Sequence, residues 1–415
     1  MRLTMGQRQA VVAKAAARYQ RSGKKEKGVI LSELVALTEY SRVYARRVLR
    51  QHGGRVQAGK QTLEADIGKR APRCRSPFYD EPVKTALLKI WKVMDYICGK
   101  RLQPALAELV MVLERYDELH CDAATRAKLL RISAASIDRL LGPERRKYEL
   151  RGQGRTKPGT LLKHQIPIRT FAEWDEQKPG FSEVDLVGHD GGVAAGDYCQ
   201  TLDLTDVATT WTETRAVRNK AQARVFEALQ KVRKNLPFPL LGLDSDNGSE
   251  FINDELLRYC RREQITFTRS RPYRKNDNCF VEQKNYSIVR RAVGYARYDT
   301  DEQCDLLNEL YSYLRLYTNF FQPTMKLKSK QRVGSKVKKC YDQALTPYQR
   351  VLQASAVSPA QKQRLRSRYE TLNPAALKRK IERLQQRLAK SSSKTNWREC
   401  ARMVAVTAAH RTGRF

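Results

Sequence analysis

Between residues 181 and 321 the hydrophobic pattern changes period in an order that few folds satisfy. FSEVDLVGHDGG, GDYCQTLDLTD and TTWTETRAVRN alternate apolar with polar residues or are rich in Thr and aromatics, which is strand patterning. KAQARVFEALQKVRKNL then carries helical spacing, PFPLLGLDSD is a short buried strand ending in acids, and SEFINDELLRYCRREQ is a helix. ITFTRS is a strand, NCFVEQKNYSIVRRAVGYARY a helix, and DEQCDLLNELYSYLRLYTNFF one more helix. The order βββαβαβα predicts a meander extended by βα units, that is, a mixed α/β sheet flanked by helices.

Acids stand at telling places in these elements. Asp185 lies in the first strand, Asp246 ends the LLGLDSD strand, and Glu282 lies on the helix after the last strand. Sixty residues separate the first two, and 35 separate Asp246 from Glu282. Mg²⁺ is a hard cation that takes oxygen ligands and usually only a few protein carboxylates. A two-metal phosphoryl-transfer site clamps the attacking and leaving oxygens between ions about 4 Å apart. Carboxylates on a central strand, on the end of its neighbour and on a helix across the sheet edge can supply such a site. Asn247-Gly248 gives Asp246 a tight turn, because glycine accepts a positive φ. Asp244 would share a strand face with Asp246, while Asp190, Asp203 and Asp206 read as turn residues. His189, four residues after Asp185, falls on the same strand face, with a structural or DNA-contacting role expected. Tyr273, Arg274 and Lys275 sit in R-S-R-P-Y-R-K-N just before the Glu282 helix. Such a basic loop with an aromatic can grip or part DNA strands.

Asp185, D-N-G-S-E-F (246–251) and V-E-Q-K-N (281–285), at this spacing, resemble the catalytic core of retroviral-type integrases and bacterial insertion-sequence transposases. The resemblance spans roughly residues 175–320. It implies an RNase H-like fold, with Asp185, Asp246 and Glu282 holding two Mg²⁺ (or Mn²⁺) ions per active site. It also implies in-line attack on phosphodiesters by water and then by a DNA 3′-OH. Asn285, at i+3 from Glu282, shares its helix face and matches a polar position in the family's helix. Lys284 and Arg290 become candidates for contacting the DNA end. The His/His/Cys/Cys zinc domain of retroviral integrases has no counterpart here, which turns the resemblance toward the bacterial transposases.

Helix-turn-helix signals stand in its place. Ser32 can cap a helix to Leu37 and Ser41 a second to Arg50, with SGKKEKG ahead of them as a loop. The second helix would back Ala45, Val48 and Leu49 onto a core and present Arg42, Arg46, Arg47 and Arg50, as a major-groove helix requires. This predicts a DNA-binding domain over 1–52 and a Gly/Pro/Arg-rich linker over 53–78. A second helical, helix-turn-helix-like domain is expected over 79–145, with Asp122 and Ser133 or Ser136 as caps. A basic linker over 146–174 leads to the core at 175–322, and 323–415 reads as a basic, partly helical tail. Within it, QPTMKLKSKQRVGSKVKKC holds seven Lys or Arg in nineteen residues.

Charge supports a nucleic-acid partner. Lys plus Arg number 79 against 44 acids, a net +35, and each neutralised phosphate releases counterions. No apolar run approaches the roughly 18 residues a spanning helix needs, and the first twenty residues lack a signal peptide's apolar centre. Nine cysteines without a C-x-x-C pair and five histidines argue against a disulfide framework or a zinc site. The expected protein is therefore a multidomain bacterial transposase, cytoplasmic and nucleoid-associated. It binds duplex DNA at element ends and at a target, and works as a homodimer or higher oligomer on DNA. The rival readings are a DNA-binding regulator with an inactive core and an RNase H-type nuclease.

Overall fold

Thr4 opens the first helix, α1 (Met5–Arg21), through a reciprocal capping box with Gln7. The structure, a computed structural model, describes residues 3–58, 61–65, 78–148, 178–193, 195–245, 250–251, 254–269 and 279–392. The chain divides into two compact units, Met1–Phe78 and Tyr79–Phe415.

In the first unit, α1 is followed by α2 (Lys24–Thr38) and α3 (Arg42–Gln51). Glu39 takes a left-handed conformation at the end of α2, with φ of 58°, and Ser41 caps α3 by accepting from Tyr44 N at 3.3 Å. Val12, Ala16, Ile30, Leu31, Leu34, Ala45, Val48 and Leu49 close a small core. The three-residue turn and the Ser41 cap match expectation. The loop expected at 22–28 does not: α2 starts at Lys24. KKEK contains good helix formers with Glu26 in the first turn, so the helix extends through it. Ser32 is thus inside the helix, where its hydroxyl donates to Gly28 O and accepts from Arg42. Part of the expected linker pairs as an antiparallel hairpin, β1 (Gly54–Ala58) with β2 (Gln61–Ala65).

The second unit begins with α4 (Glu81–Val93), α5 (Gly99–Arg115), α6 (Ala123–Arg131) and α7 (Ala134–Tyr148). Asp122 caps α6 through Thr125 N at 2.7 Å, and the Ser133 hydroxyl accepts from Ser136 N at the start of α7. Gly99 is required where α5 meets α7, since a Cβ there would lie 2.2 Å from Ala134 O. The block expected to stand apart at 79–145 instead shares one apolar core with the sheet region and the C-terminal helices. Tyr317 OH donates to Val93 O, and Arg291 and Lys378 both pair with Asp95.

The sheet comprises β3 (Phe181–Gly188), β4 (Gln200–Asp206), β5 (Thr212–Val217), β6 (Gly242–Ser245) and β7 (Thr266–Arg269), in the order β5-β4-β3-β6-β7. The first three strands are antiparallel, and β6 and β7 add in parallel. Helices α8 (Gln222–Arg233) and α9 (Asp254–Arg262) make the parallel connections. This is the mixed α/β sheet of an RNase H-like fold. The Glu282 helix is α10 (Cys279–Lys284), a π-helical stretch Asn285–Arg290, and α11 (Arg291–Val293).

Helix α12 (Asp301–Phe321) lies along β5 and satisfies part of its outer edge. Asn319 exchanges two hydrogen bonds with the Thr212 backbone and Asn308 two with Ala216, which shields an edge strand from further pairing. Arg315 adds a bidentate pair with buried Glu213, whose Oε1 also accepts from Trp211 Nε1 at 2.8 Å.

After α12 come a ribbon, β8 (Leu327–Val333) with β9 (Lys336–Tyr341), then α13 (Pro347–Gln353), α14 (Pro359–Glu370) and α15 (Pro374–Ser391). Each of these three helices opens on a capping Thr346, Ser358 or Asn373 followed by proline. Leu377, Ile381, Leu384 and Leu388 carry α15 into the shared core, so the helical part of the C-terminal region packs on the sheet unit.

Removing Arg315 strands a buried carboxylate, which costs about 3–5 kcal/mol. Arg315→Met is expected to lower the thermal midpoint sharply, and Glu213→Leu/Arg315→Met to recover most of that loss. An unchanged midpoint in the single variant contradicts the role given to this pair.

Candidate active site

Asp185 is half-buried on β3, and both of its oxygens are engaged. Leu186 N donates to Oδ1 and Asn285 Nδ2 donates to Oδ2, each at 2.7 Å. Asn285 opens the π-helical stretch that follows α10, a local widening of a kind frequent at functional sites. The hydrogen bond therefore joins the strand of Asp185 to the helix of Glu282. Glu282 itself is exposed. Ser245, the residue before Asp246, is in parallel register with Val184, the residue before Asp185. Asp246, Asn247 and Gly248 lie outside the described residues, as do Tyr273, Arg274 and Lys275.

Beneath Asp185 is a layer of buried acids. Glu183, two residues earlier, accepts from Phe280 N and Val281 N at 2.8 Å each, so it caps the first turn of α10. Burial pushes its carboxyl up to about 8, with the charges of Asp244 and Glu282 adding and the two N–H bonds opposing. Asp203 is the β4 partner of Asp185 in register. Burial raises it well above the usual range, Asp185 adds to the shift, and Lys284 opposes it. Asp244 pairs in register with Glu183 and accepts from Thr268 Oγ1 at 2.5 Å. Asp203 is thus a mid-strand core residue and not the turn residue expected. Asp206 and Asp190 do serve turns, accepting from Thr209 N and Gly192 N.

Two expected DNA-contacting residues, Lys284 and Arg290, are turned to partners within the protein, and His189 takes the structural one of its two expected roles. Lys284 is only 7% exposed; burial draws its ammonium down to about 8, and Asp203 opposes that shift. It supplies positive charge inside the acid layer rather than at the surface. Arg290 donates to Gly188 O at 2.8 Å and lies over the Tyr295 ring, tying the end of β3 to the end of its own helix. His189 is fully buried, with Nε2 2.7 Å from Thr201 Oγ1, which in turn meets Tyr311 OH. Burial, with Arg290 nearby, lowers its pKa to about 3, so it is neutral and structural. Of the α3 arginines, Arg42, Arg46, Arg47 and Arg50 are all exposed.

Sequence reasoning missed Glu183 and Arg297. The first was signalled by its place two residues before Asp185 on one strand face. Arg297 pairs with Asp299 and donates to Val193 O, Ala195 O and Asp197 O, holding the loop after β3. No local pattern announces such a residue.

The integrase core domain model matches residues 175–275, the segment that carries β3 to β7. An uncharacterized protein of Sinorhizobium fredii, y4rM, is 40% identical over 351 residues, 84% of this chain and 96% of its own. The chain belongs to one family with y4rM and carries an integrase core domain. Among solved structures it is similar to the catalytic core domain of BIV integrase, at 16% identity and TM-score 0.28, over 41% of this chain and 91% of that one. The HTLV-2 integrase catalytic core domain in complex with magnesium is 15% identical with TM-score 0.27, over 35% of this chain and 91% of that one. An integrase core is a DNA-processing domain of the phosphoryl-transfer class.

Among the described residues no three His, Cys, Asp or Glu side chains form a metal-holding group. The donor chemistry nevertheless fits a hard cation. Asp185 and Glu282 offer carboxylate oxygens, and Glu183 Oε1, Asp203 Oδ2 and Asn285 Oδ1 are buried without a hydrogen-bond partner. No helix in the described residues is long and apolar enough to cross a membrane.

Lys284→Met is expected to lower thermal stability while leaving DNA affinity and its salt dependence unchanged. A reduced salt slope with unchanged melting would put the ammonium on a phosphate instead.

Proposed function

We propose that this chain is the transposase of a bacterial mobile element, which binds the element's ends and cuts and joins DNA. The observation that carries the reading is the Asn285–Asp185 hydrogen bond at 2.7 Å, which seats the Glu282 helix on the strand of Asp185. Asp185, Asp246 and Glu282 would hold two Mg²⁺ or Mn²⁺ ions. Bound there, the ions supply Lewis-acid stabilisation of the in-line displacement. The chain's own part is positional. Asn285 fixes one Asp185 oxygen, and the Asp185 carboxylate is oriented further by Leu186 N. Water and then a DNA 3′-OH act as successive nucleophiles.

Helices α2 and α3 act as a helix-turn-helix that reads the element end. The supporting features are the Ser41 cap, the three-residue turn and the exposed Arg42, Arg46, Arg47 and Arg50 on a helix without an acid. Arg274 and Lys275, with Tyr273, contact DNA near the cut. Two ends must be held together for joining, so the assembly on DNA is a dimer or larger. It works on the nucleoid in the bacterial cytoplasm.

The test uses labelled duplexes carrying the element's ends, a plasmid target and Mg²⁺. Asp185→Asn, Asp246→Asn and Glu282→Gln should each bind ends as wild type does and lose at least about a thousand-fold in joining, a rise of roughly 4 kcal/mol in the barrier. Any one retaining wild-type turnover removes that residue from the site. End binding without cleavage by the wild type, in Mg²⁺ or Mn²⁺, favours a DNA-binding regulator. Cleavage confined to RNA–DNA hybrids favours an RNase H-type nuclease.

A further inference from the structure

The β8–β9 ribbon is exposed on both faces. Every described side chain from Leu327 to Tyr341 is exposed, including Leu327, Val337 and Tyr341 at 43–46%. A lone two-stranded hairpin is marginal in water, and this one also works against itself. It holds Lys328, Lys330, Arg332, Lys336, Lys338 and Lys339 with no acid between them. Its register pairs two strands that both carry cations and no acid, and like charges across a strand pair are destabilising. Adjacent Lys338 and Lys339 send charge to opposite faces, because strand side chains alternate.

The root of the ribbon, by contrast, is firmly held. Thr324 and Leu345 exchange two backbone hydrogen bonds. Asp342 accepts from Lys326 N at 2.6 Å and pairs with Arg350 at 2.8 Å. Arg101 donates to Pro323 O, and Thr210 meets Thr324. The Lys326 ammonium donates to Val207 O and Ala208 O and lies 5.9 Å from the centroid of the Phe280 ring. Phe280 is in the first turn of α10, two residues before Glu282. A self-repelling, two-faced cationic arm about 20 Å long therefore rises from a rigid base beside the helix that carries the catalytic glutamate.

We infer that the β8–β9 ribbon is a DNA-binding arm that grips the phosphate backbone of the duplex being processed at the active site. The inference rests on the DNA-processing reading and adds a contact surface to it. Phosphates relieve the repulsion that the bare ribbon carries, and a polyanion matches charge presented on both faces. A second copy of a chain with net charge +35 does not.

The test uses the full-length protein with Lys328→Gln, Arg332→Gln, Lys338→Gln and Lys339→Gln combined, beside a charge-keeping variant with Arg at the three lysine positions. Duplex affinity is measured against salt concentration. With a slope of about −0.9 per neutralised phosphate, the four-site Gln variant should lose up to about 3.6 units of slope and at least about ten-fold in affinity at low salt. The Arg variant should bind as wild type does, and both should melt no lower than wild type. A wild-type slope in the Gln variant overturns the inference, as does equal weakening in both variants. The outcome is separable from the function proposed above. A weakened arm in a protein that joins no DNA keeps the arm and removes the transposase; wild-type binding in a Gln variant of a protein that does join DNA removes only the arm.

Discussion

Two backbone N–H groups at the start of α10 end on one buried carboxylate, that of Glu183 on β3. A helix leaves its first N–H groups without intrahelical partners, and one Glu183 oxygen satisfies two of them. The cap fixes where α10 begins, and Asn285 fixes its far end onto Asp185. Between these two points lies Glu282, with its side chain left at the surface. The strand thus holds the helix at both ends and presents two carboxylates to solvent from adjacent rigid elements. Everything proposed about cutting and joining depends on that seating.

The cost is a concentration of acid in the sheet. Glu183, Asp203 and Asp244 are all fully buried, and Lys284 supplies buried positive charge among them. The raised pKa values of Glu183 and Asp203 express that imbalance, burial being the first cause of each. Positive charge is abundant elsewhere on the chain, on α3 and on the β8–β9 ribbon. Within the second unit, acid is concentrated in the sheet interior and positive charge on the exposed ribbon.

Much of this was legible in the sequence. The order of strands and helices from Phe181 to Phe321 followed from period alone, because β3 to β7 are short, well-patterned elements bounded by turns. Asp185 and Glu282 stand out in the sequence by spacing and by the motifs around them, and the elements that carry them are joined by the Asn285 hydrogen bond. The direction of individual side chains was less accessible. Lys284 and Arg290 read as surface cations because long basic residues are rarely buried, yet tertiary partners draw both inward. Asp203 read as a turn acid because its burial depends on two neighbouring strands and a helix distant in sequence. No local pattern announces that the apolar faces of α4, α5 and α15 complete one another's core across more than two hundred residues. The ribbon was visible only as a run of charge, since its alternation is masked by lysine on both faces.

The most direct test of the central claim replaces a non-bridging oxygen of the scissile phosphate with sulfur, one stereoisomer at a time, and follows joining in Mg²⁺ and in Mn²⁺. Sulfur is a poor ligand for hard Mg²⁺ and a better one for Mn²⁺. The account predicts that one isomer loses most joining in Mg²⁺ and regains it in Mn²⁺. Equal rates for the oxygen and sulfur substrates in Mg²⁺, or a loss that Mn²⁺ leaves untouched, would contradict a metal held against that phosphate by Asp185, Asp246 and Glu282.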